Sequence, residues 1–154
     1  MDLILWRHAE AEDGVPDLAR KLNKRGLNDA QRIADWLLQQ LPAEARILVS
    51  PAVRARQTAE ALQLPFTVLG ALAPDASIAD ILHAAGWPDD SGAVVVVGHQ
   101  PTLGRVAAWL LSGIEADWRV KKANVWWLSN RVREKTTQTF LRAVISPDTF
   151  NRQR

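Results

Sequence analysis

Two rhythms of apolar residues alternate along most of this chain, short continuous runs and helical stripes, and their order predicts the architecture. Leu3–Trp6 is a β-prone run closed by Arg7 and His8 and reads as the first strand. A polar loop, Ala9–Leu22, carries Glu10, Glu12, Asp13 and Asp17. From about Lys24 to Gln40, Leu27, Ala30, Ile33, Ala34, Leu37 and Leu38, with Leu41 beyond, recur at helical spacing and give one apolar stripe. Asn23 stands where a cap is needed and Pro42 stops the pattern.

Arg46–Val49 follows as a second strand, and Ser50-Pro51 reads as an N-cap with proline at the first position of a helix reaching about Leu62. Phe66–Leu69 is a third strand, and Ser77–Ala85 a short helix ended by Gly86. Ala93–Val97 is continuous and β-branched, the pattern of a central strand buried on both faces. A helix over Pro101–Ser112 comes next, then two strands, Asn124–Ser129 and Thr137–Ile145, joined by a turn around Glu134-Lys135. The prediction is a three-layer α/β fold: a mostly parallel central sheet, helices on both faces, and an antiparallel C-terminal hairpin. Trp36 and Trp109 fall at core-like helical spacing, while Trp126 and Trp127 must face opposite sides of one strand.

Composition narrows the function. A length of 154 residues suits one compact domain spanning 1–154, with no repeat, low-complexity tract or linker. There is no cysteine, so no disulfide, thiolate metal site or catalytic thiol. The pI of about 9.4 hints at nucleic acid, but the formal net charge is only +2. Without Cys or Tyr little titrates at high pH, and the pI overstates the basicity. The longest apolar runs are about five residues, far from the roughly 20 that span a bilayer. With no basic segment leading into an apolar stretch at the N-terminus, the expected setting is the cytoplasm.

The chemistry-bearing residues sit at the ends of predicted strands. Arg7 and His8 follow the first strand, Arg54 lies in the first turn of the helix after the second, and His99 follows the Ala93–Val97 strand behind Gly98. Open parallel sheets bind ligands outside the carboxyl ends of their strands. Two arginines, two histidines and a helix N-terminus on one sheet edge make an anion site, and guanidinium forks match phosphate oxygens. Each residue also has an ordinary reading: Arg7 pairing with Glu10, Arg54 with Glu60, His99 as a loop residue. Their joint placement favours the anion site. His83, mid-helix, and the basic residues Arg131, Arg133, Lys135, Arg142, Arg152 and Arg154 read as solvated surface, and Arg56 as a surface or supporting residue.

These residues carry a family resemblance. Leu5-Trp6-Arg7-His8-Ala9-Glu10-Ala11 resembles the Arg-His signature of the histidine phosphatase superfamily, with its phosphoglycerate mutase-like fold. Leu22-Asn23-Lys24-Arg25-Gly26 with Gln31 is similar to its first-helix motif, Ser50–Thr58 to its second-strand motif, and Val97-Gly98-His99-Gln100-Pro101 to its later histidine motif. Small size and the Arg-His-Ala-Glu-Ala opening resemble the SixA-like phosphohistidine phosphatases in particular. The resemblance implies a phosphatase in which His8 is the nucleophile and becomes a transient phosphohistidine that water hydrolyses. Arg7, Arg54 and His99 would clamp the transferring phosphoryl group, with no metal and no cofactor.

Two positions depart from the family pattern. Ala9 replaces the commoner glycine, and an ordinary backbone is expected there. Larger relatives carry a carboxylic acid that protonates a departing alkoxide; here the nearest candidates are Asp75 and Glu10, with an N-capping role as the plainer reading of Asp75. A site without an evident acid favours a labile P–N bond, and the acidic loop disfavours polyanionic ligands. The expected partner is therefore a protein bearing phosphohistidine; a small phosphoester (phosphosugar or nucleotide-pathway) is the alternative. A non-catalytic phosphate- or nucleic-acid-binding module is the third reading, suited by Trp and Arg richness, but no nucleic-acid motif supports it and no membrane partner is expected.

Overall fold

The computed structural model describes residues 1–150. Six strands form one sheet in the order β3-β2-β4-β1-β5-β6. They are β1 (Asp2–Arg7), β2 (Arg46–Val49), β3 (Thr67–Val68), β4 (Ala93–Gly98), β5 (Val125–Arg133) and β6 (Thr136–Ile145). β3, β2, β4 and β1 run parallel, whereas β5 is antiparallel to β1 and β6 to β5. The helices are α1 (Lys24–Gln40), α2 (Val53–Glu60), α3 (Ile78–Ala85) and α4 (Thr102–Ser112). This is the mostly parallel sheet, with helices on both faces and an antiparallel C-terminal hairpin, that the sequence pattern predicts.

Period-two alternation in the central strands builds both faces. Ile4 and Trp6 of β1 and Val95 and Val97 of β4 meet Ile33, Ala34 and Leu37 of α1 and Ala55 and Ala59 of α2. Leu3, Leu5, Val94 and Val96 point the other way, against Ile81 and Ala85 of α3 and Leu103, Val106 and Ala107 of α4. All six residues of β4 are buried, as its unbroken apolar run requires. Each fully buried aliphatic side chain contributes about 1.5–3 kcal/mol. Trp127 joins the first layer and Trp126 the second, so the tandem tryptophans straddle the sheet.

Local signals set most boundaries. The Asn23 side chain accepts from Gly26 N at 2.8 Å and starts α1. Ser77 and Asp80 form a reciprocal capping box at the start of α3, and Gly86, at φ 74°, ends that helix. Asp75 therefore does not cap this helix. The hairpin turns at Glu134 and Lys135, both with positive φ, and pairing extends β5 beyond Ser129 because Asn130–Arg133 face Thr136–Thr139 across the ladder.

Several expectations are corrected. Ser50 does not cap α2: that helix starts at Val53, with Ala52 at the cap and no capping side chain. Leu27 and Leu38 lie at the margins of the α1 stripe and are about half exposed, and Trp109 on α4 is 45% exposed rather than core. Spacing identified their faces, but no element covers those margins. The third strand shrinks to two exposed residues at the sheet edge. Arg142 is less free than expected, pairing with Asp2 at 3.1 Å and stacking over Trp127 at 5.1 Å. Arg152 and Arg154 lie outside the described residues.

Candidate active site

The carboxyl ends of β1, β2 and β4 bring four predicted site residues together. Arg7 ends β1 and His8 follows it; Arg54 is in the first turn of α2; His99 follows β4. Paired registers, Arg7 with Gly98 and Val49 with Val97, hold these strand ends level. His8, Arg54 and His99 are all buried to more than nine-tenths. The two imidazole centroids lie 5.1 Å apart, and Arg54 bridges them: Nε donates to His8 Nε2 and Nη2 to His99 Nδ1, each at 3.4 Å.

The tautomers follow from these partners. His8 Nδ1 is 2.7 Å from the Ala9 carbonyl, which only accepts, so Nδ1 carries the hydrogen and Nε2 keeps its lone pair. A guanidinium only donates, so His99 accepts at Nδ1 and gives its Nε2 hydrogen to Ser50 Oγ at 2.7 Å. Ser50, expected as a cap, instead orients His99 while accepting from Ala52 N at 3.2 Å. Burial pushes the His8 imidazole down to about 4, and Arg54 and Arg7 push the same way against the Ala9 carbonyl. His99 falls to about 3, through burial first and then the neighbouring His8 and Arg54. Both rings are neutral near pH 7, as a nitrogen nucleophile requires.

The remaining motif residues hold this arrangement. Thr58 Oγ1 accepts from Ala9 N at 3.0 Å and donates to the Arg54 carbonyl at 2.8 Å, tying the residue after His8 to the helix of Arg54. Gln57 Oε1 accepts from Leu22 N at 2.7 Å, and the Glu10 carbonyl accepts from Asn23 N at 3.1 Å. Gly26 permits this approach, since a Cβ there would overlap the Glu10 carbonyl. Ala9 is not among the positive-φ residues Gln63, Ala123, Glu134 and Lys135, so its backbone is ordinary as expected.

Arg7 and Arg54 have partners the sequence did not indicate. Arg7 Nη1 donates to the Val120 carbonyl at 3.0 Å, while its buried Nε has no hydrogen-bond partner among the described residues. Arg54 gives Nη1 to the Asp17 carbonyl at 2.9 Å and Nη2 to the Asp17 carboxylate at 3.1 Å, rather than pairing with Glu60. Asp17 also lies 3.6 Å from Arg20, whose Nε is buried and makes no hydrogen bond among the described residues. Asp17 and Arg20 were legible only as members of a polar loop. Glu10 makes a loose pair with Arg25 at 3.9 Å, and Asp75 sits in the turn before α3, beside Ala76, whose carbonyl accepts from Thr102. Neither carboxylate hydrogen-bonds to His8, Arg54 or His99. Arg56 and His83 are exposed, away from the cluster. Among the described residues no group of His, Cys, Asp and Glu is arranged to hold a metal, and no helix is long and apolar enough to cross a membrane.

Residues 3–73 match the model of the histidine phosphatase superfamily (branch 1). Phosphohistidine phosphatase SixA of Escherichia coli K12 is 33% identical over 122 residues, covering 73% of this chain and 76% of its own. The chain belongs to the histidine phosphatase superfamily. Within that superfamily, the solved structure of the protein histidine phosphatase SixA with tungstate superposes with a TM-score of 0.79 at 26% identity, covering 98% of this chain and 100% of that one. The fold also accommodates other substrates: a phosphoserine phosphatase variant from Entamoeba histolytica, complexed with phosphoserine, gives a TM-score of 0.69 at 15% identity, over 97% of this chain and 98% of the other.

Proposed function

We propose that this superfamily member is a phosphohistidine phosphatase acting on a protein, through His8 as nucleophile and without a metal or cofactor. The observation that carries the proposal is the His8 tautomer: Nδ1 is fixed on the Ala9 carbonyl, and the Nε2 lone pair faces the cationic cluster. In the first step that lone pair attacks phosphorus in line, a bond from Nε2 to phosphorus forms, and the P–N bond of the substrate breaks. The substrate ring, protonated on its distal nitrogen, leaves as neutral imidazole. In the second step water attacks phosphorus, the bond to His8 breaks, and phosphate departs with the proton left on the solvent side.

Arg54 and Arg7 are fixed cations for the equatorial oxygens, and the unpartnered Nε of Arg7 is a donor available to one of them. His99 would contribute at Nδ1 once a proton accompanies the anion, with Ser50 keeping its orientation. Because imidazole leaves readily, no carboxylic acid is needed, in accord with a cluster in which neither Glu10 nor Asp75 hydrogen-bonds to the histidines. For a phosphomonoester, the alternative substrate, Glu10 or Asp75 would have to move to protonate the leaving oxygen. The similarity to E. coli SixA supports the phosphohistidine reading. A cytoplasmic setting belongs to the same proposal on the sequence reading alone.

The test is trapping. A protein phosphorylated on histidine with labelled phosphate should pass label to His8, and His8→Ala should abolish both label transfer and turnover. Turnover by His8→Ala at the parent rate would refute the mechanism.

A further inference from the structure

A cavity of about 330 Å³ opens beside the phosphoryl site, with Arg7 in its wall. The charges of its lining are informative. Glu10 and Asp29 are already engaged by Arg25, at 3.9 and 3.7 Å, and Asp29 also by Arg32 at 3.5 Å. Arg119, Lys121 and Lys122 are exposed and form no ion pair among the described residues. Asp148 is the one lining carboxylate without an ion pair among those residues. The unbalanced charge in this cavity is positive.

The cationic wall is built rather than incidental. Within residues 118–123, buried Val120 separates exposed Arg119 from exposed Lys121 and Lys122, and buried Ala123 follows them. The segment is pinned to the active site at three points. The Trp118 carbonyl accepts from Gln100, the residue after His99, at 2.8 Å; the Val120 carbonyl accepts from Arg7 at 3.0 Å; Ala123 N donates to the His8 carbonyl at 3.2 Å. Arg119, Lys121 and Lys122 are thus held at a fixed offset from His8 by Arg7, His8 and Gln100. A rigidly presented set of uncompensated cations beside a phosphoryl pocket selects anions on the substrate.

We propose that this cavity is a specificity subsite that receives acidic side chains flanking the phosphohistidine of the substrate protein. The inference rests on the phosphohistidine reading of the function. It also narrows the expectation that the acidic loop repels anions: Glu10 and Asp17 of that loop are already engaged, by Arg25 and by Arg54, and Glu12 and Asp13 do not line this cavity. Arg119, Lys121 and Lys122 act on the choice of substrate, not on the transfer of phosphorus.

Two synthetic peptides, each with a single histidine phosphorylated by phosphoramidate, test it: one flanked by Asp and Glu, the other by Asn and Gln. The chain should turn over the acidic peptide with about tenfold higher kcat/KM at low ionic strength, and the preference should shrink as salt is added. Lys121→Glu/Lys122→Glu and Arg119→Gln should erase the preference while leaving the neutral peptide unaffected. Equal turnover of both peptides by the parent chain, or an equal loss on both in the variants, overturns the subsite alone. A parent chain that hydrolyses a small phosphomonoester but neither peptide overturns the phosphohistidine reading and the subsite with it.

Discussion

β4 and β5 flank the same strand, β1, yet they carry opposite kinds of information. β4 is short, parallel and buried along its whole length. β5 is longer and antiparallel, and beyond Asn130 it is exposed. A parallel strand covered on both faces can tolerate polar side chains only where it stops, so the ends of β1, β2 and β4 concentrate Arg7, His8, Ser50 and His99 on a rigid frame. The hairpin satisfies its backbone through its own ladder, and its outer half can carry Arg131, Gln138 and Thr136 with no further requirement. Chemistry gathers where burial ends abruptly, and surface variation where it fades.

The largest test of this contrast is on rate. Arg54→Ala should lower kcat for phosphohistidine hydrolysis by about 10²–10³-fold, whereas Arg131→Ala should leave it unchanged; phosphate release measures both. A comparable loss from Arg131→Ala would show that the hairpin contributes to the site. In stability, Leu5→Ala, at a fully buried position of β1, should cost about 2–5 kcal/mol by denaturant titration.

Acid should sharpen the contrast further, because both perturbed histidines lie in the parallel half. Their folded values, about 4 and about 3, are below the usual value near 6.5, so the unfolded chain binds protons first as pH falls. Stability is complete above about pH 6.5 and declines as pH drops toward 4, with His8 alone accounting for about 3 kcal/mol. Urea midpoints across that range should flatten in His8→Asn/His99→Asn. A parent protein with no slope there would mean that the rings are not buried neutral. The smallest effect belongs to the outer hairpin: Val132→Thr, at a 66% exposed position, should shift stability by no more than about 0.5 kcal/mol.

Much of this organisation is legible in the sequence because it rests on period and on strand ends. The unbroken run at Ala93–Val97 can only be buried on both faces, and the Arg and His residues that follow three neighbouring parallel strands, directly or in the first turn of the next helix, must share an edge. What escaped the sequence depends on contacts between distant segments. Ser50 has every local mark of a helix cap, but His99, 49 residues away, takes its hydroxyl. Asp17 lies in a loop without rhythm, so nothing in its neighbourhood points 37 residues ahead to Arg54. Leu27 and Trp109 show the converse limit: helical spacing tells which way a side chain faces, not whether another element arrives to cover it.

The Asp17–Arg54 pair has a consequence for turnover. The guanidinium that should hold the phosphoryl group already holds a carboxylate, supplied by a 3-10 turn, Asp17–Ala19, that contributes no buried residue. With Arg54 in its proposed role, substrate binding there is an exchange of one anion for another, and only the difference between the two is available as affinity. The same exchange would run backwards when phosphate leaves, with Asp17 as a tethered competitor that need not diffuse to the site. In that role the pair would trade tight retention of the product for rapid renewal of the site.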